Sequence, residues 1–202
     1  MSMQWSLLFL KVNKINIEVS SNFINAEDCK DFIDFINTNQ NIFVGPLGRT
    51  VLQFGFDDHR KNYKDIVSGI ESINNLSIIY FNKIIKELKN IYNEDKELYI
   101  ASFWLSKGMP GSRVRLHSDQ EDGHNSHFKY STISYFNSVD SGNEIVFPNI
   151  GYKYSPVEGD MLSWISGDKD SIHEVPSVTE TRYSMPIWVT DNPKYKLNYE
   201  MI

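Results

Sequence analysis

Arg115–Leu116–His117–Ser118–Asp119 places a histidine and a carboxylate two residues apart, in a segment that alternates like a β-strand. Successive side chains of a strand point to opposite faces, so His117 and Asp119 are expected to lean the same way. One imidazole beside one carboxylate is two-thirds of a facial metal triad. The reading of the chain turns on whether a second histidine reaches the same place, and on what fold would bring it there.

The surrounding sequence favours short strands. After Glu97 the strand candidates are Leu98–Ser106, Ser112–Ser118, Lys129–Asn137, Glu144–Pro148, Asp160–Ser166, Ser171–Val175 and Thr181–Thr190, with turn-rich pieces such as Lys107–Gly111 and Ser138–Asn143 between them. Many short strands at this spacing predict a β-sandwich or barrel.

Upstream the chain opens on two strand-like pieces, Trp5–Lys11 and Ile15–Val19, joined by a turn at Asn13–Lys14. Asn25 then reads as the N-cap of a helix with Glu27 and Asp28 in its first turn. Apolar Cys29, Phe32, Ile33 and Ile36 give that helix one face for a core. Gly45–Pro46–Leu47–Gly48 breaks the pattern, and Thr50–Phe56 reads as a short strand or extended loop. Tyr63–Tyr92 is helical by period, with Asn74–Asn75 predicted to split it; Leu76, Ile79, Tyr80, Ile84, Leu88 and Ile91 recur at helical spacing in the second piece. Helices first and strands after predict an α+β, mainly β chain: a β-roll braced on one side by helices. No linker composition interrupts the chain, so one domain is expected, with strands and supporting helices over residues 1–96, the β core over 97–191 and a tail over 192–202.

Composition narrows the function classes. The formal net charge of -6 argues against broad electrostatic capture of nucleic acid or an anionic membrane. The single cysteine, Cys29, excludes an internal disulfide and any multi-cysteine metal site. Trp5–Leu10 is too short for a signal-peptide core or a membrane span, so a soluble, cytoplasmic protein is expected.

Five histidines are present, and His173 lies in the strand-like Ser171–Ile172–His173–Glu174–Val175. With His117 and Asp119 it completes a two-histidine, one-carboxylate set, which suits non-haem Fe(II) with positions left open. Arg182 follows nine residues after His173, beyond a bend at Pro176–Ser177. A hairpin centred between Ser177 and Val178 would set residues 173 and 182 opposite one another, about 5 Å apart on one face. A crossing between two sheets would also point both inward, but farther apart. A buried guanidinium needs an anion, and its planar fork fits a carboxylate; the alternative partner is an acid such as Glu180. By strand parity Ser184 and Trp188 share the face of Arg182, whereas Tyr183, Met185, Ile187 and Val189 take the other and suit packing on the helical layer. His59, His124 and His127 read as solvated, the last two in a polar Gln120–His127 loop able to act as a lid, and Trp104 reads as a cavity or core residue.

These residues resemble the Fe(II)- and 2-oxoglutarate-dependent oxygenases, specifically the prolyl 4-hydroxylase-like branch with the oxygen-sensing prolyl hydroxylases. His117–Ser118–Asp119 is similar to the family's H-x-D, and Gly142–Asn143–Glu144–Ile145–Val146–Phe147–Pro148 to its G-G-E-x-x-F-P run. His173–Glu174–Val175, Thr181–Arg182–Tyr183–Ser184 and Trp188 resemble the H-E-V…R-Y-A…W ending of the oxygen-sensing group. Asn143 stands in place of the run's second glycine. Arg182 stands where collagen-type enzymes carry lysine, and Pro186 where a small or hydroxyl-bearing residue is common.

The resemblance implies a double-stranded β-helix (a jelly roll) with Fe(II) on His117, Asp119 and His173. It also implies 2-oxoglutarate and O2 as cosubstrates and ascorbate as a reductant. Arg182 would meet the far carboxylate of 2-oxoglutarate, with Tyr135 in Ile133–Ser134–Tyr135–Phe136–Asn137 assisting and Ser184 and Trp188 adjoining. The implied reaction hydroxylates a substrate C–H bond, releasing succinate and CO2, on a prolyl residue of a peptide or protein. A free amino acid or other small molecule stands as the alternative substrate, and a non-catalytic metal- and 2-oxoglutarate-binding sensor as the alternative class. The nucleic-acid-demethylating branch fits less well, because the residue six after Arg182 is Trp188 and not a second arginine.

Overall fold

The computed structural model describes residues 16–39, 49–55, 71–120 and 125–197. Its elements run β1 (Ile17–Ser20), α1 (Ala26–Thr38), β2 (Arg49–Gly55), α2 (Glu71–Tyr92), β3 (Tyr99–Gly108), β4 (Val114–His117), β5 (Tyr130–Tyr135), β6 (Ile145–Phe147), β7 (Tyr152–Tyr154), β8 (Met161–Ile165), β9 (His173–Val175) and β10 (Arg182–Thr190). The strands form two antiparallel sheets, one in the order β1-β8-β5-β10-β3-β2 and one in the order β4-β9-β6-β7. This is the expected jelly roll with a helical layer. The pieces predicted at residues 5–11, 13–14, 45–48 and 63–70, and His59 and His124, lie outside the described residues.

The helical layer follows from local chemistry. Asn25 caps α1, its side-chain oxygen accepting the Asp28 N–H at 2.9 Å, and Cys29, Phe32 and Ile36 turn inward. Phe32 stacks on Phe136 with ring centres 4.5 Å apart, which fastens α1 to the end of β5. In α2 the buried positions are Ile73, Ser77, Tyr80, Phe81, Ile84 and Leu88, a continuous face at helical spacing. The break expected at Asn74–Asn75 is absent: the helix runs through it from Glu71 to Tyr92. Asparagine costs a helix only about 0.7 kcal/mol relative to alanine. Burying Ile73 on the same turn offsets that cost, at roughly 1.5–3 kcal/mol for a large apolar side chain.

The helices lie on the outer face of the six-stranded sheet, and β10 shows why. Met185, Ile187 and Val189 are fully buried in the cluster shared with α1 and α2, whereas Arg182, Ser184, Pro186 and Trp188 line the space between the sheets. A second apolar cluster, including Ile133, Ile145, Phe147, Leu162, Trp164 and Val175, fills the rest of that space.

Three features differ from the sequence expectation. β9 and β10 belong to different sheets, so the bend at residues 176–178 is a crossing and not a hairpin. His173 sits opposite His117, and Arg182 opposite Gly108. The crossing is pinned where Gly111 N–H donates to Val178 O (2.8 Å) and Val178 N–H to Ser112 O (3.0 Å). β7 is a strand too short to show in periodicity; it follows Gly151, whose φ of 63° ends the preceding 3-10 turn. Finally, β4 ends at His117, so Asp119 lies beyond the strand. One glycine is dictated by space as well as conformation. Gly159 has φ 82°, and a Cβ there would lie 2.4 Å from the Ile24 carbonyl oxygen.

Candidate metal centre

Two strands of the smaller sheet and the turn after one of them bring three side chains together. In the pairing of β4 with β9, Val114 faces Val175 and His117 faces His173, so two residues on β4 stand against one on β9. Arg115 and Leu116 form the resulting bulge, and Leu116 is 53% exposed. The bulge reconciles an odd spacing with a common direction, so Val114 and His117 both line the cavity. Asp119 then folds back from the turn.

His117, Asp119 and His173 each offer one ligand atom, and these atoms all lie within 4.8 Å of one another. His117 Nε2 is 3.5 Å from Asp119 Oδ1, and His173 Nε2 is 4.0 Å from Asp119 Oδ2. The rings are oriented from behind. His117 Nδ1 lies 2.8 Å from Arg115 O and His173 Nδ1 2.9 Å from Ser171 O. A carbonyl can only accept, so each Nδ1 carries the proton and each Nε2 presents its lone pair to the centre. Trp164 Nε1–H donates to Asp119 Oδ2 at 2.9 Å and fixes the carboxylate plane. Two imidazole nitrogens and one carboxylate oxygen, all turned to one point, fit a divalent transition metal with open positions.

The charges agree with that fit. Burial penalises the Asp119 carboxylate, but His117, His173 and Trp188 outweigh it and hold the group at about 2. Burial pulls His173 below the ordinary histidine value, against the opposing pull of Asp119, which keeps its imidazole neutral and able to bind metal.

The same cavity holds a second, differently built end. Arg182 is 7% exposed, and among the described residues its guanidinium makes one long hydrogen bond, Nη1 to the Asn143 carbonyl at 3.4 Å. No acid among the described residues lies within ion-pair distance of it. Burial lowers its pKa, and only Tyr135 opposes that. The Tyr135 ring centre is 5.5 Å from the guanidinium carbon; its hydroxyl is fully buried, has no hydrogen-bond partner and is pushed by burial up to about 12. Five N–H donors and a neutral O–H donor stand here with almost nothing to accept from them, and a carboxylate would satisfy both.

The structure brings His117, Asp119, His173, Arg182, Ser184 and Trp188 to one cavity, with Trp104 and Pro186 in its wall. Tyr135 pairs with Ser184 across β5 and β10. Trp104 meets Trp188 edge-on, ring centres 4.9 Å apart. His127 is not a solvated loop residue: it stacks on Tyr195 at 3.8 Å and packs against Phe128. Two residues escaped the sequence reading of the site. Trp164 could have been found from parity, since it shares the inward face of β8 with Leu162. Asn143 was visible only as a departure from a glycine.

No protein-family model matches the sequence, and no curated protein matches it. Solved structures do. The viral collagen prolyl hydroxylase vCPH of Paramecium bursaria Chlorella virus-1, in its 2OG complex, superposes with a TM-score of 0.61 at 15% identity, over 87% of this chain and 95% of that one. An oxidoreductase of the 2OG-Fe(II) oxygenase family from Burkholderia pseudomallei gives 0.65 at 15% identity, over 89% and 86%. A Trichoplax adhaerens prolyl hydroxylase, in complex with a hypoxia inducible factor oxygen degradation domain peptide fragment, gives 0.63 at 16% identity, over 91% and 87%. The chain has the fold of the 2OG-Fe(II) oxygenases. No helix among the described residues is long and apolar enough to cross a membrane.

Proposed function

We propose that the protein is an Fe(II)- and 2-oxoglutarate-dependent dioxygenase that hydroxylates a prolyl residue in a peptide or protein. The observation that carries this reading is one cavity with two complementary ends. A His-Asp-His cluster, with Asp119 and His173 buried and His117 half-buried, has its nitrogen lone pairs turned inward, and a buried guanidinium has no acid partner among the described residues. A pure metal-binding module has no need of the second end.

Iron bound by His117, Asp119 and His173, together with 2-oxoglutarate and oxygen, supplies the oxidising power, with succinate and CO2 released and a hydroxyl left on the substrate. The chain's own residues arrange that chemistry. The two imidazoles donate through Nε2, and Asp119 supplies a negative ligand whose orientation Trp164 sets. Arg182 takes the distal carboxylate of 2-oxoglutarate, and the Tyr135 O–H adds a neutral donor. Ser184 leaves room beside the guanidinium, while Trp188, Pro186, Ile133 and Val175 keep the wall apolar and exclude water. The prolyl assignment is supported by the motif resemblance and by the prolyl hydroxylases among the structural neighbours.

The test is succinate formation by purified protein with Fe(II), oxygen, 2-oxoglutarate, ascorbate and proline-containing peptides. Wild type turns over and His173→Ala does not; a wild type that binds neither iron nor 2-oxoglutarate sinks the enzyme reading. Mass spectrometry then locates the added oxygen. A gain on proline supports the substrate assignment, and a gain on a free amino acid or another residue replaces it.

A further inference from the structure

We propose that Asn143 is a positioning residue that keeps the Arg182 guanidinium open for an anionic cosubstrate by holding the Glu180 carboxylate away from it. The inference rests on the reading of Arg182 as a carboxylate anchor.

Asn143 is 1% exposed and follows Gly142, whose φ of 98° turns the chain between β5 and β6. Its side-chain oxygen accepts the backbone N–H of Thr179 at 2.7 Å and of Glu180 at 3.1 Å. Its Nδ2 donates to Asp140 O at 3.0 Å, Thr179 Oγ1 at 3.1 Å and Glu180 Oε1 at 3.3 Å. Its own carbonyl accepts from Arg182 Nη1. One side chain therefore joins the turn before β6 to the crossing that leads into β10. Glycine at this position could make none of the side-chain bonds.

Glu180 makes this matter for function. It stands two residues before Arg182, in the bend that leads into β10, and both meet the same residue: Asn143 Nδ2 donates to Glu180 Oε1 at 3.3 Å and the Asn143 carbonyl accepts from Arg182 Nη1 at 3.4 Å. A carboxylate so placed is a natural partner for a buried, unpaired guanidinium. Glu180 is instead engaged elsewhere: Oε1 accepts from Asp140 N–H at 3.2 Å and from Asn143 Nδ2. Released from those bonds, it would close on Arg182 as a tethered competitor at high effective concentration, and 2-oxoglutarate would have to displace it. Asn143 thus does two things at once: it lends Arg182 a neutral carbonyl and denies it an internal acid.

The test is calorimetric titration of 2-oxoglutarate into the anaerobic Fe(II)-loaded protein, with Fe(II) affinity measured in parallel. N143G is expected to bind 2-oxoglutarate roughly tenfold or more weakly, the size of one competing charged hydrogen bond, with Fe(II) affinity unchanged. The double variant N143G/E180Q is expected to recover most of the loss, because a neutral amide no longer competes; E180Q alone is the control. A merely structural role for Asn143 predicts no recovery. Should N143G fail to fold, N143A removes the same donors to Glu180 without the added backbone freedom or a new charge, and the same pattern with E180Q is expected. N143G binding as tightly as wild type, or a double variant as weak as N143G, overturns the proposal. A wild type that binds no 2-oxoglutarate overturns the reading beneath it as well, which the wild-type titration reports separately.

Discussion

The two ends of the cavity are finished to different degrees. At the metal end each group is already held: both histidines by backbone carbonyls, Asp119 by Trp164, and the loop after His117 by the Ser118 hydroxyl donating to Ser166 O at 3.2 Å. At the anion end, among the described residues, the Arg182 guanidinium has one long hydrogen bond and the Tyr135 hydroxyl none. On the proposed reading the fold builds the metal end in advance, whereas the anion end waits for the carboxylate that binds there. A buried unpaired charge costs stability. On the proposal above it persists because Asn143 engages the Glu180 carboxylate, so that a ligand carboxylate gains what the ligand-free protein lacks.

The largest effect that can break this contrast is loss of the metal end. Asp119→Ala is expected to abolish Fe(II) binding and reduce succinate formation to background, measured by metal titration and a coupled assay. Next comes Arg182→Met. Removing one partner of a buried charge pair costs about 2–5 kcal/mol, so 2-oxoglutarate affinity should fall roughly 100-fold while Fe(II) affinity stays near wild type. The same substitution should leave the metal-free, cosubstrate-free protein as stable as wild type or about 1–3 kcal/mol more stable, because it removes an unsatisfied buried cation. A marked drop in apo stability on thermal melting would mean that Arg182 is already satisfied by the protein and that the two ends do not differ as argued.

The same contrast explains what the sequence could disclose. The candidate ligands His117, Asp119 and His173, which the structure brings to one cavity with Arg182, were legible because each residue type has few other uses at that spacing. The two faces of β10 were legible because Met185, Ile187 and Val189 alternate with Arg182, Ser184 and Trp188. The Pro176–Ser177 bend suits a hairpin and a crossing equally, so the sheet partner of Arg182 depended on long-range pairing. The bulge at Arg115 and Leu116 was hidden for the same reason. Ile73 overrode the local signal of Asn74–Asn75, and β7 has too few residues to show a period. Asn143 bonds to residues nearly forty positions away, and nothing local announces that.

A smaller effect probes how far the preorganised end depends on its supports. Trp164→Phe keeps an aromatic ring, though a smaller one, against His173 and Phe147 but removes the N–H on Asp119. Supporting hydrogen bonds of this kind are worth about 10–100-fold in metal affinity, and that loss is expected here, with the intrinsic attraction of 2-oxoglutarate for Arg182 untouched. An unchanged Fe(II) affinity would show that Asp119 does not depend on the Trp164 donor for its orientation.

The smallest effect should leave both ends alone. Lys129 pairs with Glu94 at 2.5 Å and with Asp191 at 3.0 Å, where the end of α2 meets β5 and the end of β10. The Lys129 hydrogen bond, with the Lys96 N–H, draws Glu94 from an ordinary 4.5 down to about 2. A carboxyl with a depressed folded-state pKa adds stability that is fully present above its unfolded value and lost as pH falls through the folded one. In wild type this contribution fades between pH 4.5 and about 2. Lys129→Met should lower the melting temperature modestly at pH 7 and flatten the acid limb of the stability curve, since Glu94 then titrates closer to its ordinary value. Fe(II) and 2-oxoglutarate affinities should not move, because neither Lys129 nor Glu94 lines the cavity. A change in either affinity would mean that the far end of the sheets communicates with the site, and that the metal end is less self-contained than its hydrogen bonds imply.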